Sequence, residues 1–211
     1  MSLQIHDCEQ GSPEWFAVRA GIPTTSEFES LVKVLKSGKP SAERRSYMLR
    51  LAGEVLTGDL PENFTSVYTE RGKALEAEAA DLYAMIYDAE LQAVGFMTNH
   101  GAGCSPDRLI GDDGMLEIKT KKPELLIDAV LSDDFLAEHK AQCQGALWIA
   151  EREWIDLCVY WPGLPPFIKR AYRDEEYIAS LAKAVAEFNA ELAAVVAAVR
   201  TLSEPEHKEA A

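Results

Sequence analysis

Three residues in one short stretch have the types and spacing for hydrolytic chemistry. Residues 103–121 read GCSPDRLIGDDGMLEIKTK, with Asp107 behind a proline, a tight acidic turn, then Glu117-Ile118-Lys119. Side chains on a β-strand alternate faces. Glu117 and Lys119 therefore point one way, while Leu116 and Ile118 turn into the core. A carboxylate and an amine side by side, opposed to Asp107 across a hairpin, can bind a divalent cation and activate water. Hard oxygen ligands on adjacent strands suit Mg²⁺, with Mn²⁺ as a substitute, and such ions take carboxylates, carbonyls and waters at about 2.1 Å. The backbone carbonyl of Ile118 can complete the shell. Lys119 can orient the attacking water and assist its deprotonation, with a neighbouring cation keeping its pKa low. The alternative is an exposed hairpin with ordinary surface charges, or a structural Glu117–Lys119 ion pair.

Other candidates lie elsewhere in the chain. Glu76 sits in RGKALE, beside the apolar stripe of a helix expected over 66–87, with Glu70 and Glu78 as rivals. Gln142 and Gln144 flank Cys143 in a later helix, where a glutamine can bond a metal-bound water or a phosphate. His139 falls one turn before Gln142 on the same face. Arg19 ends a short helix and Ser26 lies in the first turn of the next. A guanidinium fork beside a helix N-terminus makes a phosphate-binding corner. Each also has an ordinary reading: a surface Glu, a surface amide, a structural His, a salt bridge, a capping hydroxyl.

These residues need elements to position them. Ser12-Pro13-Glu14 opens a helix that stops at Gly21. Thr24 and Glu27 fit a capping box for a helix to about Lys36. Residues 37–40 are a loop. A helix over 41–56 puts Met48, Leu51, Ala52 and Val55 on one face and ends at Gly58. The helix over 66–87 aligns Leu75, Ala79, Leu82, Tyr83 and Ile86. Residues 91–98 read as one strand, and 104–110 with 115–121 as a hairpin around GDDG. Residues 123–131 are ambiguous, a short helix being one reading. Asp133 or Asp134 caps a helix to about Ala150. Residues 154–160 and 167–172 are strands separated by WPGLPP. Asp174 caps a long final helix with Ile178, Leu181, Val185, Phe188, Leu192, Val195 and Val199 inside. The order predicts one α/β layered domain, with a central mixed β-sheet flanked by helices.

Composition narrows the function classes. At 211 residues the chain suffices for one well-cored domain, and its 47% hydrophobic and 27% charged residues fit a globular protein. No apolar run approaches the roughly 20 residues of a membrane span, and no signal peptide is visible. A cytoplasmic location with no membrane partner is the expectation. Cys8, Cys104, Cys143 and Cys158 form no CxxC pair, so zinc or iron–sulfur ligation is not indicated. The net charge of −14 argues against a passive nucleic-acid coat. Yet Lys33, Lys36, Lys39, Arg44, Arg45 and Arg50 form a basic run holding a single acid, Glu43. The tail 203–211 is polar and frayed.

Pro106-Asp107 followed by Glu117-Ile118-Lys119 resembles the PD-(D/E)xK nuclease pattern, with its restriction-endonuclease-like core. Four blocks in order — WFAVRAGIPTTSE, RGKALE, GCSPDRL…LEIK and AQCQGALW — resemble the phage lambda exonuclease family, the YqaJ-type viral recombinases, over roughly residues 10–190. With the element order and the polar tail, the expectation is a single nuclease domain over 1–202 and a disordered tail over 203–211. The resemblance implies Mg²⁺-dependent 5′-to-3′ digestion of one strand of double-stranded DNA from its ends, leaving 3′ overhangs for recombination. It further implies a homotrimeric ring around DNA and a single-strand annealing partner. Residue by residue, Asp107, Glu117 and the Ile118 carbonyl fall on the metal ligands and Lys119 on the catalytic lysine. Glu76 and Gln142 fall on the helix residues of the active site, and Arg19 and Ser26 on the 5′-phosphate binders. His139 stands where Tyr is expected and Arg108 where Gly is common, leaving both roles open. A ring with cations inside and acids outside would reconcile −14 with a DNA substrate. Rival readings are another PD-(D/E)xK endonuclease, a Cas4-like nuclease, or a non-catalytic recombination mediator.

Overall fold

The computed structural model describes residues 2–33, 39–59, 67–133 and 135–203. Its helices are α1 (Pro13–Arg19), α2 (Phe28–Val32), α3 (Ala42–Thr57), α4 (Val67–Tyr87), α5 (Pro123–Ser132), α6 (Phe135–Glu138), α7 (Lys140–Ala150) and α8 (Glu175–Ser203). The main sheet has five strands in the order β2 (Leu91–Gln92), β5 (Arg108–Ile110), β6 (Gly114–Thr120), β7 (Trp154–Tyr160) and β8 (Phe167–Tyr172). β6 and β7 are parallel, from Gly114 opposite Trp154 to Thr120 opposite Tyr160, and the other neighbours are antiparallel. Parallel strands require a crossover, which α5, α6 and α7 supply. A second sheet holds β1 (Gln4–His6), β3 (Phe96–Asn99) and β4 (Ala102–Cys104), all antiparallel.

The central strands are covered on both faces, which explains their near-continuous apolar runs. Leu116, Ile118, Cys158 and Tyr160 pack on Leu75, Ala79, Ala80 and Tyr83 of α4. Met115, Ile155, Leu157 and Val159 face the other way, into the larger core with Leu147 of α7 and Leu181, Val185 and Phe188 of α8. Asp156 is a charge within this sheet, 2% exposed. It accepts from Tyr83 Oη at 2.5 Å and from Arg170 Nε and Nη2 at 2.7 and 2.8 Å, so the buried carboxylate is paired and hydrogen-bonded.

Most expected elements are present. Ser12 and Ser41 accept from the backbone N–H groups of Trp15 and Arg44 and cap α1 and α3. Asp174 accepts from Tyr177 N and caps α8. Gly58 closes α3 at φ 71°. The ambiguous segment after the hairpin is helix α5.

Several expectations need correction. Residues 91–98 form two short strands in different sheets, broken around Gly95. A Cβ at Gly95 would lie 2.3 Å from the Cys8 carbonyl, so the N-terminal loop occupies the space a continuous strand's side chain needs. β4 belongs to the second sheet, so the hairpin is β5–β6 alone. The Thr24 capping box does not form, because the Thr24 hydroxyl meets Arg19 and Ser26 while Glu27 pairs with Arg50. Residues 25–27 make a 3-10 turn instead, and α2 ends at Val32. The helix expected up to Ala150 is two helices, and Asp133 ends α5 in the left-handed conformation. The Asp134 cap, the helix continuation over 34–36, residues 37 and 38 of the loop, Ser66 and tail residues 204–211 lie outside the described residues. Val55, Ile86 and Val199 are exposed, while Tyr47, Ala80 and Val196 are buried. Three cations of the basic run are paired: Lys33 with Glu43, Arg44 with Glu191 and Arg50 with Glu27. Arg44 is itself buried, so its charge serves the α3–α8 contact. Among the described residues no helix is long and apolar enough to cross a membrane.

Candidate active site

Asp107 immediately precedes β5, so the ladder to β6 stops short of Ile118. The Ile118 N–H, left without a strand partner on that side, donates to Asp107 Oδ2 at 2.5 Å. In an antiparallel pair the N–H and C=O of one residue point the same way. The Ile118 carbonyl therefore opens toward the edge that carries Asp107. On the face of β6 turned away from α4, Glu117 Oε1 accepts from Lys119 Nζ at 2.8 Å and from Gln142 Nε2 at 2.6 Å. Alternation on β6 pairs Glu117 with Lys119, and α7 brings Gln142 down onto them.

Asp107 and Glu117 are both buried. Burial holds the Asp107 carboxyl well above the usual carboxylate range, and the charges of Glu117 and Glu76 push it further, against the Ile118 N–H and Lys119. Glu76 is also raised, by burial first and then by Glu117, although Arg108 opposes this. For Lys119, burial favours the neutral amine, but the charge and hydrogen bond of Glu117, with Asp107, outweigh it and raise the pKa. The groups around Lys119 thus favour its ammonium form, and a neighbouring cation would act in the opposite direction.

This donor set fits a hard divalent cation. The carboxylates carry more negative charge than Lys119 and Arg108 offset, and all the donors are oxygens. Among the described residues no group of three His, Cys, Asp or Glu side chains is close enough to hold a metal. A cation here would rely on Asp107, Glu117, the Ile118 carbonyl and waters, as Mg²⁺-type ions commonly do.

The rivals separate clearly. Glu76 Oε1 lies 3.9 Å from Arg108 Nη1, on the hairpin side of α4, whereas Glu78 accepts from the Tyr160 hydroxyl. The Glu70 side chain lies outside the described residues. Gln144 bonds the Tyr172 carbonyl and the Asp174 N–H and ties α7 to the β8–α8 junction, which leaves Gln142 for the site. His139 adjoins α7. Burial and the nearby Lys119 depress its pKa to about 4, so it is neutral at physiological pH.

Arg19 and Ser26 meet through Thr24. Arg19 Nη2 lies 3.4 Å from Thr24 Oγ1, which is 3.3 Å from Ser26 Oγ. The guanidinium lies over the Trp15 ring at 3.7 Å, and burial lowers its pKa. A pocket of about 190 Å³ opens beside it, lined by Arg19, Thr24, Tyr47 and Arg50 among others. The corner is tied to the hairpin segment. Trp15 Nε1 donates to Ser105 Oγ at 2.9 Å, two residues before Asp107, and Gly103 N donates to the Pro23 carbonyl. No contact joins Arg19 or Ser26 to Asp107 or Glu117 directly.

The sequence alone does not single out Trp15, Tyr47, Lys73 or Ser105, and it offers Thr24 only as a helix cap. Lys73 was legible as the residue one turn before Glu76, on the same helix face. Thr24 has no local signal for this place, because the Tyr47 hydroxyl that accepts from its N–H is 23 residues away.

The chain is similar to known proteins in sequence and in fold. The model of the YqaJ-like viral recombinase domain matches residues 14–153. The structure is similar to that of an alkaline exonuclease, LHK-Exo, from Laribacter hongkongensis, with a TM-score of 0.81 and 30% identity over 91% of this chain and 98% of that one. The same relative is also known in complex with dAMP. A phage-related exonuclease from Haemophilus somnus 129PT shares the fold, with a TM-score of 0.62 at 16% identity over 82% of this chain and 95% of that one. No curated protein matches at a significant level.

Proposed function

The chain belongs to the YqaJ-like viral recombinase family, and from that premise we propose that it is a Mg²⁺-dependent exonuclease acting on linear double-stranded DNA. It digests one strand from the 5′ end and leaves a 3′ overhang for recombination. The observation that carries this reading is the convergence of Lys119 and Gln142 on Glu117, on the strand whose Ile118 N–H holds Asp107. The binding of dAMP by the alkaline exonuclease relative supports a deoxynucleotide substrate.

Asp107, Glu117 and the Ile118 carbonyl would hold the cation, with Mn²⁺ able to replace Mg²⁺. When bound, such an ion acidifies water and offsets charge on phosphoryl oxygens. Lys119 stands beside Glu117 to orient the attacking water, and the charge of a bound cation would shift it toward the neutral amine that can take the water's proton. Gln142 fixes the Glu117 carboxylate, and Glu76 bounds the site from α4. Water attacks phosphorus in line, the P–O3′ bond breaks, and the leaving 3′ oxygen takes up a proton. Arg19 and Ser26, with Thr24 between them, grip the terminal 5′-phosphate. The working unit is a homotrimeric ring on a DNA end, handing its overhang to a single-strand annealing protein.

Linear duplex DNA with a 5′-phosphate on one strand only tests the reading. Digestion confined to the phosphorylated strand and stopped by EDTA is expected. Digestion that survives EDTA, or that begins from 3′ ends, would contradict it.

A further inference from the structure

A second cleft of about 670 Å³ opens on the α4 side of the hairpin, between residues 7–11, the 93–95 loop, Lys73 and Glu76 of α4, and Arg108 of β5. Its two cations differ from those of the basic run. Lys73 has no carboxylate within 4 Å among the described residues, so its charge is not spent on an ion pair. Its ammonium lies close to Gly11, where a Cβ would sit only 3.1 Å from Nζ. Gly11 has φ +85°, a conformation that favours glycine and leaves room for the ammonium. Arg108 is anchored differently. Its Nη1 donates to the Asp107 carbonyl at 2.5 Å and stands 3.9 Å from Glu76 Oε1, at the outer limit of an ion pair. The guanidinium is thus held at the lip of the cleft with donors to spare.

We propose that Lys73 and Arg108 form a two-cation clamp for one backbone phosphate of the DNA strand, separate from the 5′-phosphate corner at Arg19. The inference rests on the nuclease reading above. The cleft also carries Asp7 and Glu9, acids that repel a polyanion and confine the contact to the Lys73–Arg108 side. Arg108 provides a planar fork that matches a phosphate, and Lys73 a point charge. The hold of Arg108 on the Asp107 carbonyl links the gripped phosphate to the residue that begins the hairpin site.

The test measures DNA binding apart from cleavage. Duplex ends are titrated in EDTA, over a range of salt concentrations, with the wild type, Lys73→Gln, Arg108→Gln and the double variant. Each single variant should bind about tenfold more weakly. Two cations on one phosphate should lower the salt slope of the double variant by about 0.9 in total, not twice that. Lys73→Arg should retain affinity, and melting temperature checks that every variant is folded. Unchanged affinity and slope in folded variants would overturn the clamp, while Mg²⁺-dependent digestion by the wild type keeps the nuclease reading intact. A wild type that neither binds nor digests duplex ends would overturn both.

Discussion

Gln142 Nε2 lies 2.6 Å from Glu117 Oε1, the oxygen that also accepts from Lys119. One carboxylate oxygen therefore joins the crossover helix α7 to the strand β6. Partners that orient a ligating carboxylate are worth about 10- to 100-fold in metal affinity or activity. Gln142→Leu should lower digestion by that amount and raise the Mg²⁺ concentration needed for half-maximal rate. Lys119 still neutralises Glu117 in this variant, so stability should fall by only about 1 kcal/mol. Mg²⁺ titrations of rate and urea melts check the two halves.

Asp107 should trade stability for function. Its folded pKa lies above the ordinary value, so the folded chain binds this proton more tightly than the unfolded chain. Below about pH 3.9 both states hold the proton and no penalty exists; as pH rises through the raised folded pKa, ionisation costs stability. Asp107→Asn keeps an oxygen to accept from Ile118 N and removes the charge. In EDTA at neutral pH it should melt higher than the wild type, and the gap should shrink on acidification. It should also lose cleavage and the stabilisation by Mg²⁺ expected of the wild type, both readable by calorimetry with and without the ion.

Arg19 should govern which ends are cut. Arg19→Gln removes the charge over Trp15 and the contact to Thr24. The rate on 5′-phosphorylated ends should drop by at least tenfold, with little change on 5′-hydroxyl ends. Comparing both substrates checks this, and an equal loss on both would refute it.

His139 gives a pH signature of opposite sign. Its folded pKa of about 4 lies below the unfolded value of about 6.5. Stability is unaffected above that window and declines as pH falls from about 6.5 to about 4, because only the unfolded chain takes the proton. His139→Gln should flatten this part of the melting curve against pH.

Much of this architecture is written locally. β7 and β8 keep the bounds expected of them because apolar runs end at a Pro/Gly turn. Ser41 and Gly58 mark the ends of α3 in the same local way. The pairing of Glu117 with Lys119 follows from alternation alone. What sequence reading misses depends on distant partners. The break at Gly95 is imposed by the backbone of residues 6–8, and the Thr24 cap is displaced by contacts to Arg19 and Ser26. Gln142 and Gln144 are equivalent until the rotation of α7 is known, and that is fixed by the bonds of Gln144 to Tyr172 and Asp174. The acidic total of −14 also hides how the cations are spent, since Arg44 and Arg50 are paired with carboxylates while Lys73 has none within 4 Å among the described residues.

The two-faced packing of β6 has a consequence for how faults arise. Leu116 and Ile118 lie against α4 while Glu117 and Lys119 lie on the other face. A slip of one residue in strand pairing would press a carboxylate and an ammonium into the α4 interface and set two large apolar side chains against the polar groups on the other face. No well-packed but inactive register is then available to a newly made chain. Errors here would surface as unfolded or degraded protein rather than as a stable, idle competitor for DNA ends.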